Sequence, residues 1–323
     1  MLLFDASYIN VGGGKVLLDQ LINEIENTKI KAIYLFDKRY INNNLKNTNN
    51  KVLYIKSSFF TRFIIYFKLK NKINKIFIFS GVPPIYNFQI NTFCFFQNVL
   101  LLDKNKNVFK YLYFKLFSFN IQTWFVQTNY IKNALYNIIH SKKIISAPFF
   151  LNQSYPVINK KNNNDDEIKL LYVSSGEIHK NHIRLFECFN KLIKIYPKAI
   201  LTVTISNNYN SLINIINYNK NIRNIGFIDT DLLNKEYINS NIFIFPSLNE
   251  SFGLGLIEAN QHNLPILASD LPYVREIIET PYLFNPYSVD SMFDCIINCI
   301  ETNYKLSSLT IKNKIDLIIE KIQ

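Results

Sequence analysis

Short runs of apolar residues alternate along the chain with longer stretches whose apolar positions recur every three or four residues. Leu2 to Phe4, Lys31 to Phe36, Val52 to Ile55, Ile76 to Phe79, Thr92 to Phe95 and Thr123 to Val126 read as strands. Val16 to Ile25 and the segments near 59–70, 106–118 and 129–139 read as helices between them. The second half repeats the scheme, with strands at Ile168 to Val173, Ala199 to Ile205, Ile222 to Ile225, Ile242 to Phe245 and Leu264 to Ala268. Its helices fall near 183–195, 231–240, 289–300 and 306–322, and one more opens at Gly253 and Gly255. The buried runs are apolar throughout rather than alternating, as in strands covered on both faces. Alternation of strand and helix predicts an α/β fold with parallel sheets.

Residues 151–167, LNQSYPVINKKNNNDDE, break this rhythm with low hydrophobicity, a proline and repeated Asn. They read as a linker. A chain of 323 residues suits two domains. The expected division is 1–150, the linker at 151–167, and 168–323. Ile41 to Asn50 is Asn-rich and reads as a surface loop.

Charge separates the halves. Residues 1–150 hold 20 Lys and Arg against 6 Asp and Glu, a net +14, and residues 151–323 hold 16 against 18, a net −2. A basic first half suits an anionic membrane surface or a phosphorylated acceptor, and it also suits plain solubility. Nucleic acid is not expected, since no recognition motif accompanies the charge. The helix from Phe59 to Lys70 has two readings: an interfacial helix that buries Phe and Ile while Lys and Arg stay wet, or an ordinary core-facing helix. No stretch reaches the ~18 apolar residues of a spanning helix. With no basic n-region, and with Asp5 inside the first apolar run, no signal peptide is expected. Cys94, Cys188, Cys295 and Cys299 form no Cys-x-x-Cys pair and no ligand cluster with the four His, which fits buried thiols in a reducing cytosol.

The candidate chemistry gathers in residues 242–276, IFIFPSLNESFGLGLIEANQHNLPILASDLPYVRE. A buried strand leads through a polar loop into a helix whose N-terminus would lie at the strand's carboxyl end, where open α/β sheets bind ligands. Such an N-terminus favours anions. Glu250 precedes it and Glu258 lies eight residues on, inside the helix. One reading is a nucleotide-sugar pocket, with phosphate on the helix start and a carboxylate on hydroxyls at each end. The other is a solvated loop residue at Glu250 and a salt-bridged Glu258.

Other patches sit at predicted strand ends. Gly12-Gly13-Gly14 lies between a strand and a helix. That arrangement is compatible with phosphate, and equally with a tight turn. Ser80-Gly81 and Gln97-Asn98 follow two strands, and Gln127-Thr128 follows a third, where Thr128 can cap the next helix. Gln97 cannot titrate, so no general-base role is assigned there. Lys180 stands just before a helix, where an ammonium can meet a diphosphate. His179 and His182 lack an acidic partner set for a metal.

PS-x-x-E-x-F-G-x-x-x-x-E-A from Pro246 to Ala259, followed by P-x-x-x-S-D from Pro265 to Asp270, resembles the donor-site signature of family 4 retaining glycosyltransferases. That family, the glycosyl transferases group 1, has the GT-B fold: two doubly wound Rossmann-like domains facing across a cleft. The resemblance implies that Glu250 contacts the transferred sugar and Glu258 the nucleotide ribose. It implies that the amides of Phe252, Gly253 and Leu254 hold phosphate, as Gly13 and Gly14 do from the first domain. Gly226 and Phe227 would support the base through their backbone. Lys180 matches the lysine of the family's Arg/Lys phosphate clamp, while Ser175 stands in place of the Arg. Ile178-His-Lys-Asn-His is similar to a variant seen in polysaccharide-assembly members. Gln97, Asn98, Gln127 and Thr128 are acceptor-side candidates. Ser269, Asp270 and Glu276 are expected to be structural.

The resemblance implies retaining transfer from a nucleoside diphosphate sugar to a hydroxyl of a glycan or lipid-linked oligosaccharide in lipopolysaccharide or capsule synthesis. No metal or other cofactor is expected. The expected place is the cytoplasm, with peripheral contact at the inner face of the cell membrane. Two alternatives stand beside this: a GT-B nucleotide-sugar epimerase or hydrolase, and a non-catalytic glycosyltransferase-like scaffold.

Overall fold

A computed structural model describes residues 1–42, 45, 48–102, 104, 107–140, 143–153, 155 and 168–323. Most of the expected linker at 151–167 and part of the Asn-rich loop lie outside the described residues. The chain divides into two units, Met1–Asn152 with Lys312–Gln323, and Gln153–Ile311.

The first unit is built on a seven-stranded parallel sheet. Its strands are β1 (Leu2–Ala6), β2 (Ala32–Asp37), β3 (Lys51–Ile55), β4 (Lys75–Ile78), β5 (Asn91–Phe96), β6 (Thr123–Val126) and β7 (Ile144–Ser146). The helices are α1 (Gly12–Glu26), α2 (Phe59–Leu69), α3 (Val108–Phe117) and α4 (Asn129–Ile139). The order β3-β2-β1-β4-β5-β6-β7 reverses direction between β1 and β4. Central strands are buried along their whole length, while the edge strand β3 is largely open. β1 sends Leu3 into a core with Ile33, Ile76, Phe96 and Trp124. Phe4 points to the opposite face and stacks on Phe77 at 5.3 Å.

Helix α2 differs from the core-facing reading in one respect. Its buried residues are Arg62 and Tyr66, and Phe60 is 72% exposed. The cause is Asp5, which is fully buried on β1 and must be neutralised. Arg62 Nε donates to Asp5 Oδ2 at 2.7 Å and Tyr66 Oη donates to the same oxygen at 2.6 Å. Burial, the largest influence, would lower the Arg62 guanidinium, but Asp5, Tyr66 and Tyr8 together outweigh it and hold the group well above its ordinary value.

The second unit holds a six-stranded parallel sheet of the same design. It comprises β8 (Lys169–Tyr172), β9 (Ile200–Val203), β10 (Ile222–Asn224), β11 (Ile242–Phe245), β12 (Ile266–Ser269) and, after the short β13 (Ile278–Glu279), β14 (Tyr282–Phe284). The helices are α5 (His182–Ile195), α6 (Asn210–Asn217), α7 (Thr230–Asn239), α8 (Leu254–Gln261), α9 (Pro272–Ile277) and α10 (Val289–Glu301). The order β10-β9-β8-β11-β12-β14 reverses between β8 and β11. All four cysteines are free and buried.

The end of the chain departs from the expected helix at 306–322. Ser308–Leu309 forms β15, antiparallel to β13, and the helix α11 runs only over Ile315–Ile322. It belongs to the first unit, not the second. Ile315, Ile318 and Ile322 are buried, and the turn before α11 is tied to the 148–150 segment by Lys314 N to Pro148 O at 2.7 Å and Asn313 Nδ2 to Phe150 O at 2.6 Å. Among the described residues no helix is long and apolar enough to cross a membrane.

Candidate functional site

The site is assembled where the second sheet reverses direction. β8 and β11 are neighbours there, and the loops leaving their carboxyl ends diverge, the place where open α/β sheets leave a crevice. The loop after β8 delivers Lys180, and the loop after β11 delivers Glu250. Lys180 Nζ lies 2.6 Å from Glu250 Oε1, with the side chains 16% and 13% exposed. Glu250 is therefore not a solvated loop residue. The two predicted groups, 70 residues apart in sequence, form one nearly enclosed ion pair.

A network of polar groups holds both loops. Asn181 is buried in the left-handed conformation at φ 63°, and its Nδ2 donates to Pro246 O at 3.2 Å and Pro286 O at 2.8 Å. Leu248 N donates to His179 O at 2.8 Å. Tyr172 Oη donates to Lys180 O at 2.9 Å and lies 2.9 Å from Ser247 Oγ, and Tyr273 Oη donates to Ser247 O at 2.6 Å. Sequence reasoning assigned no role to Asn181, Tyr172 or Tyr273. Their signal was slight, an Asn at a helix start and tyrosines at element ends. His182 is buried beside this turn, with Nε2 between Ser174 Oγ and Ser175 O at 3.0 and 2.9 Å. Burial, with Lys180 nearby adding to it, pushes its imidazole down to about 4.

Three residues after Glu250 the chain turns into α8. Gly253 caps it at φ 76°, a conformation that favours glycine, and Leu256 Cδ1 lies 3.3 Å from where a Cβ would stand. Phe252 beside it is buried. Leu256 N donates back to Gly253 O at 3.0 Å, and the amides of Leu254 and Gly255 before it lie at the positive end of the helix dipole. Glu258 sits one turn in, partly buried. It accepts a hydrogen bond from Tyr237 Oη at 2.8 Å, and the salt bridge considered for it is absent among the described residues. Burial raises its carboxyl above the ordinary range, and the Tyr237 hydrogen bond offsets part of that. Tyr237 is stacked on His262, which stacks in turn on Tyr155 at 3.8 Å. Gly226 follows β10 at φ 65°, and Phe227 beside it is 79% exposed. Ser269 Oγ donates to Phe245 O at 3.3 Å, and Asp270 pairs with Arg275.

The remaining candidates lie in the first unit. Gly13 and Gly14 occupy the first turn of α1. A Cβ on Gly14 would stand 3.4 Å from Gln97 Oε1, so the structure brings these two together. Gln97 Nε2 donates to Phe79 O at 2.7 Å. Asn98 follows it, exposed. Gln127 is buried and brackets one peptide, accepting from Phe149 N at 2.9 Å and donating to Phe149 O at 3.3 Å. Thr128 is buried and caps α4, accepting from Ile131 N at 3.2 Å. Among the described residues no three His, Cys, Asp or Glu gather as a metal set.

Comparison with known proteins agrees with this architecture. Residues 156–315 match the family model described as glycosyl transferases group 1. The sulfoquinovosyl transferase SQD2 of Arabidopsis thaliana is 32% identical over 77 residues, which is 22% of this chain and 14% of that one. The match thus spans about a seventh of that relative's length. Among solved structures, HepE of Anabaena in complex with UDP and glucose superposes with a TM-score of 0.74 at 12% identity, over 93% of this chain and 89% of that one. Sucrose-phosphate synthase of Thermosynechococcus elongatus gives 0.72 at 17% identity, over 93% and 89%. The lipopolysaccharide outer core galactosyltransferase WaaB gives 0.70 at 15% identity, over 99% and 94%. At these identities the likeness establishes the fold, which is GT-B.

Proposed function

Through residues 156–315 the chain belongs to the glycosyl transferases group 1 family, and from that premise we propose a retaining, metal-independent family 4 enzyme of lipopolysaccharide or capsule assembly. It moves a sugar from a nucleoside diphosphate donor to a hydroxyl of a glycan or lipid-linked oligosaccharide. The observation that carries this reading is the Lys180–Glu250 pair at the reversal of the second sheet, three residues before the α8 N-terminus.

Lys180 and the amides of Phe252, Gly253 and Leu254 take the donor diphosphate. As the bond to the sugar breaks, negative charge grows on the leaving phosphate. A fixed ammonium and a helix N-terminus in a nearly enclosed site stabilise that charge without reorganising. A phosphate oxygen of the leaving group accepts the acceptor's proton, so no basic side chain is needed. Glu250, sharing Lys180 with the arriving phosphate, accepts from the sugar hydroxyls. Glu258, oriented by Tyr237, accepts from the ribose. The backbone at Gly226 and Phe227 carries the base. In the first unit, the Gly13–Gly14 turn is assigned to phosphate and Gln97 and Asn98 to the acceptor, with Gln127 and Thr128 holding the loops around them. The basic first unit also meets an anionic membrane at the cytoplasmic face.

The test is a panel of nucleoside diphosphate sugars, headed by UDP-glucose because HepE is seen with UDP and glucose. Release of nucleoside diphosphate is followed with lipid-linked acceptors. Lys180→Ala is expected to lower kcat by about 10²–10³-fold. A chain that binds no nucleoside diphosphate in calorimetry would be a scaffold instead. Equal donor consumption without acceptor would mark a hydrolase or epimerase. Loss of turnover in chelator would overturn metal independence, and an inverted product anomer would overturn retention.

A further inference from the structure

Two helices of the first unit are apolar on the side that faces solvent. On α3 the core side is Phe114, which is buried. Phe109, Leu112 and Leu116, at steps of three and four, lie on the opposite side and are 86%, 47% and 62% exposed, and Phe119 continues the line just beyond the helix at 72%. On α2 the core side is Arg62 and Tyr66, and Phe60 and Phe67 lie opposite, 72% and 54% exposed. The helices are adjacent, with the rings of Phe59 and Tyr113 4.7 Å apart. A surface helix ordinarily turns its polar face outward. Here both neighbours keep apolar side chains on the outward side, and no described residue covers them.

The charge around this face has one sign. Residues 51–121, which include both helices, hold 11 Lys and Arg and a single acid, Asp103. Lys68, Lys70, Lys110 and Lys115 are exposed on the two helices, and Lys70 Nζ lies 4.2 Å from the centroid of the exposed Phe67 ring. Apolar rings flanked by long cationic stems are what an anionic lipid interface takes up, rings into the acyl boundary and ammonium groups among the headgroups. A second copy of the chain would bring the same positive charge against itself. A nucleic acid would use the lysines but would gain nothing from Leu112 and Leu116.

We propose that the outward faces of α2 and α3 form the surface by which the protein docks on an anionic bilayer. This sharpens the membrane contact of the proposed function to one face. Its test uses neither donor nor acceptor, so the two readings fail separately.

The experiment is co-sedimentation of the full chain with phosphatidylcholine vesicles and with vesicles containing phosphatidylglycerol. Binding is expected only to the anionic vesicles, and it should weaken as salt is raised. Lys68→Glu with Lys70→Glu should reduce partitioning on the order of tenfold or more, and so should Lys110→Glu with Lys115→Glu. Phe60→Ser with Phe109→Ser should release the protein, with an unchanged thermal melt as proof of folding. A polarity-sensitive dye on Phe109→Cys reads insertion directly, since the native cysteines are buried. The dye should shift to the blue with anionic vesicles and stay unshifted with neutral ones. Equal binding to both vesicle types, an unshifted dye throughout, or variants that bind like the parent would overturn the proposal. So would variants whose only effect is to dissolve a dimer or to lose single-stranded nucleic acid or an acidic protein.

Discussion

Glu258 is the residue where site chemistry and stability oppose one another. Burial raises its carboxyl above the ordinary carboxylate range, and only Tyr237 among the described residues donates to it from a side chain. The folded chain therefore holds that proton more tightly than the unfolded chain. Its contribution to stability is full below about 4.5 and is lost as pH rises through the folded value. At neutral pH the ionised carboxylate is a liability to the fold, set against its proposed role at the ribose. Glu258→Gln should raise Tm at neutral pH, the gain should vanish toward acid pH, and donor affinity should fall. Thermal melts across pH read the first two effects and calorimetry the third. A variant less stable than its parent at neutral pH would count against this account. Tyr237→Phe acts the other way on the same proton, moving the acid limb of the donor-binding profile upward. The carboxylates themselves were legible in their sequence spacing. Their partners were not: Glu250 took the cation and Glu258 a phenol, because Lys180 reaches the loop after β11 while α7 sets Tyr237 beside α8.

At the scale of elements, one amide joins the turn that carries Lys180 to two loops at once. Asn181 ties it to the loops after β11 and β14 while holding a left-handed backbone. Asn181→Ala leaves two buried carbonyls without their donor, at roughly 1–3 kcal/mol each, and adds strain where Ala is disfavoured. Urea unfolding should show the loss, and Asn181→Gly should recover only the backbone share. If Asn181→Gly is as stable as the parent, the carbonyl contacts contribute nothing. Most elements fell within a few residues of their expected bounds, and β6, α4 and β11 matched them. Helix α2 shows where periodicity stops being informative. Its spacing allows Phe and Ile to be the buried face, yet Arg62 is buried because Asp5, 57 residues earlier, has to be neutralised. Edge strand β7 and helix α6 were not foreseen, since they are only three and eight residues long and give their period little room to show.

For the whole molecule, the two units are each organised around one reversal of strand order, and α11 closes the first after the chain has completed the second. Removal of residues 312–323 exposes the surface covered by Ile315, Ile318 and Ile322, at roughly 1.5–3 kcal/mol for each isoleucine as an upper bound. Limited proteolysis of the shortened chain should cut faster within 1–152 and unchanged within 168–311. Equal rates in the first unit would mean that α11 is dispensable. Two parallel-sheet domains, a helix start bracketed by a pair of carboxylates, and the segregation of charge into the first half were all determined by the sequence alone. Each depends on residues a few positions apart or on simple counts, and apolar runs bury themselves whatever their neighbours. Tertiary structure alone decided that Lys180 meets Glu250 across 70 residues and that Asn181 reaches Pro286 across 105. It alone left the apolar sides of α2 and α3 uncovered by any described residue. Polar groups are satisfied by whichever partner the sheet order brings near, and local spacing carries no record of that order.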